Sequence, residues 1–373
     1  MNDGDDPAPA GGYGSLTPIR RLLEDGVGRA YPGAVLEVSR GGDVVIRWAV
    51  GARSLVPEPE PAAPETIYDL ASLTKVVVTT PLILQAAAEG RLRLDDSIAT
   101  YLPESTASAI TLRHLLTHSS GLPAWIPFYL ETSGYDAVIA RAAARAAEAA
   151  PGPQAVYSDV GFILLGEVAR RALGGPLDAL ARERLFTPLA MHHTTYRPLH
   201  ARLGRIAPTE DGTAIEQAMA GGEGRRHTWR HSLIWGEVHD SNAHAMGGVS
   251  GHAGLFGTAD DLTAYARMWL AGGRGPHGSV LPEDLVREAT MSQVPAGTRG
   301  LGWALTGTDG WWGAALSPRA YGHTGFTGTA IVIDPAHDLA IVLLTNAIHL
   351  GRDRTEILTL RPQIAGAVAA ALL

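Results

Sequence analysis

Two hairpin signals stand at opposite ends of this 373-residue chain and limit its fold more than any other feature. Near the start, the β-rich runs 34–39 and 44–50 flank Arg40-Gly41-Gly42-Asp43. Near the end, the apolar, β-branched runs 330–334 and 339–345 flank Pro335-Ala336-His337-Asp338. Each pair reads as two strands joined by a tight turn. Between them the pattern is mainly helical, over 72–89, 112–117, 135–149, 160–173 and 177–185, while 203–230 is Gly/Arg-rich and reads as a long surface loop. Helices are also expected at 18–28 and 356–372. The economical topology is an α+β fold: an antiparallel sheet drawn from both chain termini, flanked by helices, with a helical subdomain inserted. The expected division is a sheet subdomain of 16–75 and 245–373, a mainly helical subdomain of 76–244, and a flexible leader of 1–15.

Composition removes several function classes. A formal net charge of −8 offers no basic footprint, so no nucleic-acid partner is expected. No cysteine is present, which excludes thiol catalysis, disulfides and thiolate metal sites. His239, Asp240, His244 and His252 are potential metal ligands, but their spacing matches no familiar zinc pattern, so neither a metal nor any other cofactor is expected. The N-terminus, Met1 to Pro7, is acidic where a secretory signal is basic, and no apolar stretch reaches membrane length. A soluble, cytoplasmic protein is expected, the alternative being an exported one already stripped of its signal. Oligomeric state stays open.

Of 30 Lys and Arg residues, one is lysine: Lys75, three residues after Ser72. Arginine stays protonated in essentially any protein setting, whereas a buried lysine can give up its proton. Val76-Val77-Val78 follows at once and argues that this segment is buried. Positions i and i+3 share a helix face, so Ser72 Oγ and Lys75 Nζ should meet in one cleft. Ser72, near the helix start, would also feel the positive end of the helix dipole. Ser-x-x-Lys is a nucleophile-and-base arrangement, and no Gly-x-Ser-x-Gly elbow competes with it.

Two further triplets join it, Tyr157-Ser158-Asp159 and His323-Thr324-Gly325. In this order the three resemble the Ser-x-x-Lys, Tyr-x-Asn and Lys/His-Thr-Gly elements of the serine β-lactamase and penicillin-binding-protein superfamily, notably class C β-lactamases, DD-peptidases and related esterases. The resemblance runs from about residue 34 to 345 and includes the segments 111–123, 188–191 and 247–262. It implies a β-lactamase/DD-peptidase-like fold in which Ser72 is acylated, Lys75 and Tyr157 jointly handle its proton, and His323 completes the catalytic set. It further implies an oxyanion hole formed by the N–H groups of Ser72 and Phe326, and substrate contacts from Asp159, Thr324 and Gly325.

Two departures from the pattern bear on the substrate, a small-molecule ester, β-lactam or peptide. Asp159 stands where β-lactamases carry asparagine, and His323 where they usually carry lysine. The leading expectation is therefore an esterase or D-alanyl-D-alanine peptidase. A true class C-like β-lactamase is the enzymatic alternative, and a penicillin-binding sensor with little turnover is the alternative of another class. Tyr157 as a core tyrosine, Asp159 as a helix N-cap, and His114 and His118 as core or loop histidines are the structural alternatives.

Overall fold

The computed structural model describes residues 14–305, 311–351 and 355–373, so most of the expected leader lies outside the described residues. The two hairpins meet as expected. The strands Gly33–Arg40 and Leu339–Thr345 pair antiparallel, with Leu36 opposite Leu343 and Val38 opposite Ile341. Their hairpin partners, Asp43–Ser54 and Ala330–Asp334, flank them, and Glu60–Pro61, Tyr321–Thr324 and Ala304–Leu305 complete a seven-stranded antiparallel sheet.

Side-chain alternation explains why this sheet is covered on both faces. Every residue of Leu339–Thr345 is buried. Leu339, Ile341 and Leu343 pack with Leu36, Val38 and the two terminal helices, Thr17–Asp25 and Thr355–Leu372. Their alternates Ala340, Val342 and Leu344 face a second core shared with the helix Ala259–Leu270 and the central helices. Ile357, Leu360, Ile364 and Val368 recur at helical spacing on the buried side of the last helix. Among the described residues, no helix is long and apolar enough to cross a membrane.

The segment after Ser72 is helical, and it accommodates Pro81 in a specific way. Lys75–Thr79 is a π-helical turn, closed by the Thr80 N–H on the Lys75 carbonyl, and Thr80–Ala88 continues as α-helix. In that wider register Pro81 lacks the N–H that would reach the Val76 carbonyl. The Tyr265 hydroxyl donates to that carbonyl instead. The wide turn is thus stabilised from a neighbouring helix, directly beside Lys75.

Two expectations fail locally. The helix expected over 135–149 ends at Ala143. Residues 203–230 are not all surface loop: Ala214–Ala220 is helical, with Glu216 and Ala220 buried. The flanking glycines and arginines hid this short helix, whose Glu216 and Met219 line the cleft described below.

Candidate active site

Ser72 sits in a turn at the mouth of the π-helical segment. The turn forms because Ala71 adopts a left-handed backbone, φ +47°, which is uncommon without a glycine. Asp69 holds it there, one carboxylate oxygen accepting the Ala71 N–H at 2.8 Å. Lys75 then rises one turn later, wholly buried, with Nζ 2.9 Å from Ser72 Oγ, 3.2 Å from the His252 carbonyl and 2.7 Å from Asp159 Oδ1. The Tyr157 ring lies against the ammonium, 4.8 Å from Nζ to the centroid, and its hydroxyl is in hydrogen-bonding reach of both Lys75 and Ser72.

The second triplet is delivered by a helix start. Ser158 is the N-cap of Asp159–Leu173, accepting the Gly161 N–H at 3.2 Å, so Asp159 is not the cap but the first helical residue, facing Lys75. His118 supports it, its Nδ1 accepting the Ser158 N–H at 3.0 Å and its ring 4.5 Å from that of Tyr157. The third triplet lies on the strand Tyr321–Thr324, and His323 stands 5.8 Å from the Tyr157 ring. Gly325 has to be glycine: a Cβ there would strike the Thr329 side chain and the Leu70 carbonyl. The following turn is tied to the nucleophile segment, because Thr327 donates to the Asp69 carbonyl at 2.7 Å and Thr329 to that of Leu70 at 3.1 Å. Buried Arg361, from the last helix, donates to the Thr329 carbonyl at 3.0 Å and braces the same turn.

Together these elements line one cleft of about 300 Å³, which holds Ser72, Tyr157, Asp159, His323, Thr324, Gly325 and Phe326. Lys75 is buried behind this lining, in contact with Ser72 and Asp159. All residues expected at the site therefore converge.

Electrostatics sets the resting charge of three of them. Burial pulls the pKa of Lys75 down, but the Asp159 carboxylate and Tyr157 outweigh it and the pKa is raised, so the resting side chain is an ammonium. Burial pushes Tyr157 above the usual phenol value against the opposing charge of Lys75, so the phenol rests protonated. His323 is pushed down to about 3, by burial first and then by the charges of Lys75 and Arg299. Its Nδ1 donates to the Thr324 carbonyl at 2.9 Å, which leaves Nε2 an acceptor. Burial and these charges favour the neutral imidazole at His323.

Among the described residues, one group gathers donors suited to a cation: Asp159, Asp240 and His252, whose ligand atoms lie within 4.8 Å of one another. The donors are already engaged. His252 Nε2 is 2.9 Å from Asp240 and its Nδ1 2.8 Å from Ser250 Oγ, while Asp159 pairs with the ammonium of Lys75.

A family model described as Beta-lactamase matches residues 19–365. The chain belongs to the Beta-lactamase family. A relative of this family member in Escherichia coli (strain K12) is 34% identical over 364 residues, covering 90% of this chain and 82% of its own; its assigned name, D-alanyl-D-alanine carboxypeptidase, is provisional. The N-acetylmuramyl-L-alanine amidase of Bacillus subtilis (strain 168) is 32% identical over 368 residues, covering 90% of this chain and 81% of its own. The crystal structure of a penicillin-binding protein homolog from Caulobacter crescentus shares the fold, with a TM-score of 0.76 over 96% of this chain and 97% of that one at 21% identity. This β-lactamase-family chain is accordingly a serine hydrolase of the β-lactamase/DD-peptidase type.

Several cleft residues of this β-lactamase-family enzyme carry no signal in the sequence. Glu216, Arg299 and Trp125 line the cleft from segments without a motif. His239 and Asp240 drew notice as metal donors, yet the structure uses them in hydrogen bonding at the cleft wall.

Proposed function

We propose that this enzyme hydrolyses an amide of the D-alanyl-D-alanine type, and esters of similar shape, through an acyl-enzyme on Ser72. One observation carries the reading: Lys75 Nζ lies between Ser72 Oγ, at 2.9 Å, and Asp159 Oδ1, at 2.7 Å. A resting ammonium cannot take the serine proton without losing one of its own. Asp159 provides the outlet. As Ser72 Oγ attacks the carbonyl carbon, its O–H bond breaks and a new Lys75 N–H bond forms. A second Lys75 N–H bond breaks in concert and the proton passes to Asp159. Charge stays balanced, since the ion pair becomes an ammonium and a neutral carboxyl beside a developing oxyanion.

The N–H groups of Ser72 and Phe326 take that oxyanion, and Tyr157, protonated at rest, donates to the departing amine as the tetrahedral intermediate collapses. Asp159 returns the proton through Lys75 to Tyr157. Water then repeats the sequence in reverse and releases the acid. In this reading Asp159 acts on the proton, and its replacement of asparagine is a catalytic feature as much as a substrate contact.

The two relatives favour amides over β-lactams, since the assigned names of both refer to alanine amides. The Bacillus relative favours a second amide, that joining a muramyl group to L-alanine. Parallel assays with a D-Ala-D-Ala peptide, a muramyl-L-alanine amide, a p-nitrophenyl ester and a chromogenic cephalosporin separate these cases. The D-Ala-D-Ala peptide should give the highest kcat/KM. A faster cephalosporin would make the enzyme a β-lactamase, and a burst without steady turnover on every substrate would make it a sensor.

A further inference from the structure

We propose that His239 is a positioning residue of the acyl-transfer site, holding the Phe326 end of the oxyanion hole in register with the Ser72 end. The inference rests on the reading that those two N–H groups take the oxyanion.

His239 lines the cleft and is only 4% exposed. Its ring stacks on that of Phe326, with centroids 5.6 Å apart and planes 15° from parallel. Its backbone N–H donates to Asp69 Oδ2 at 2.8 Å, while the other oxygen of the same carboxylate accepts the N–H of Ala71, the residue before Ser72. Asp69 thus links the His239 backbone to the nucleophile turn, and the imidazole links it onward to Phe326. The ring has little freedom to move, because its Nε2 lies 2.8 Å from Glu210 Oε2, itself 2% exposed. Glu216, Asp240 and Asp69 also bear on the imidazole.

An apolar side chain would fill this space without burying an imidazole and a carboxylate, a pairing that stabilises little by itself. What the pair adds is direction. Oxyanion donors work only when fixed about 2.7–3.1 Å from the developing charge, and a misplacement of about 1 Å can cost ~10²-fold in rate. The Phe326 N–H lies in a turn, and its ring stacks on the imidazole of a residue held at two points, by its backbone N–H on Asp69 and its Nε2 against Glu210.

The test compares the full-length parent with His239→Ala and with the double variant His239→Phe/Glu210→Met, which keeps the stack and leaves no carboxylate unpaired. Turnover of a p-nitrophenyl ester is measured per active site, counted by fluorophosphonate labelling. His239→Ala should lose roughly 10–100-fold in kcat with KM within about twofold, the pattern of an interaction made in the transition state. The double variant should recover to within about fivefold of the parent. An unchanged kcat per site in His239→Ala, or a double variant as slow as His239→Ala, overturns the proposal. If His239→Ala yields no folded protein, the double variant decides alone: near-parent kcat supports the role, and a loss of about tenfold or more refutes it. Failure of the parent itself to label at Ser72 would instead remove the underlying reading of the site.

Discussion

Asp159 Oδ1 lies 2.7 Å from Lys75 Nζ, closer than Ser72 Oγ is to the same nitrogen. The lysine therefore rests as half of an ion pair with a carboxylate at the start of the helix Asp159–Leu173, which is the proposed outlet for its proton. Asp159→Asn keeps the shape and removes the proton acceptor. It should lower kcat by about a hundredfold with little change in KM, as removal of a general base does. Steady-state kinetics on a peptide and an ester checks this, and retention of full kcat would confine Asp159 to substrate binding.

Lys75→Arg tests the same relay from its centre. It preserves the charge facing Asp159 but not the ability to pass a proton, so kcat should fall by about a thousandfold or more, comparable to Ser72→Ala because members of one relay do not act additively. Activity above about a tenth of the parent would assign Lys75 a structural role.

Tyr157 rests protonated in a buried position, and its proposed task is to protonate the leaving group. Tyr157→Phe should cost ~10²–10⁴ in kcat for an amide, whose leaving amine needs that proton, and much less for a p-nitrophenyl ester, whose phenolate leaves unaided. Equal losses on both substrates would place Tyr157 at the activation of Ser72.

His323 is held neutral down to a pKa of about 3, first by burial. Its folded value lies below the unfolded one near 6.5, so the unfolded chain takes up a proton that the native chain refuses. The stability this contributes is complete above about pH 6.5 and falls as pH drops, by up to about 1.4 kcal/mol per unit down to about pH 3. Replacing His323 by Asn should flatten the pH dependence of unfolding by one proton between about pH 4 and 6. Chemical denaturation across that range measures it, and an unchanged slope would mean that His323 titrates freely. The same neutrality means that kcat/KM for carboxylate-bearing substrates should show no His323 ionisation near pH 6.5.

The sheet was legible because its evidence is local. Residues 330–334 and 339–345 are continuous apolar, β-branched runs around a turn, and the observed strands there are Ala330–Asp334 and Leu339–Thr345, buried throughout. Ser72, Lys75, Tyr157 and His323 were legible as types at a spacing, and the fold brings Ser72, Tyr157 and His323 into one cleft with Lys75 buried against Ser72. Their charge states were not, because these depend on partners distant in sequence: Asp159 meets Lys75 across 84 positions (159 − 75), and Arg299 and Lys75 act on His323 from separate segments. Glu216 escaped notice for a related reason. A seven-residue helix amid glycine and arginine carries too little periodicity to announce which side faces a cleft.

The central claim is that Ser72 carries the acyl group, and locating the covalent adduct tests it most directly. After incubation with a fluorophosphonate, digestion and mass spectrometry should find one modification, on the peptide containing Ser72, and Ser72→Ala should abolish it. A stable adduct on any other serine, with Ser72 unmodified, would contradict the account.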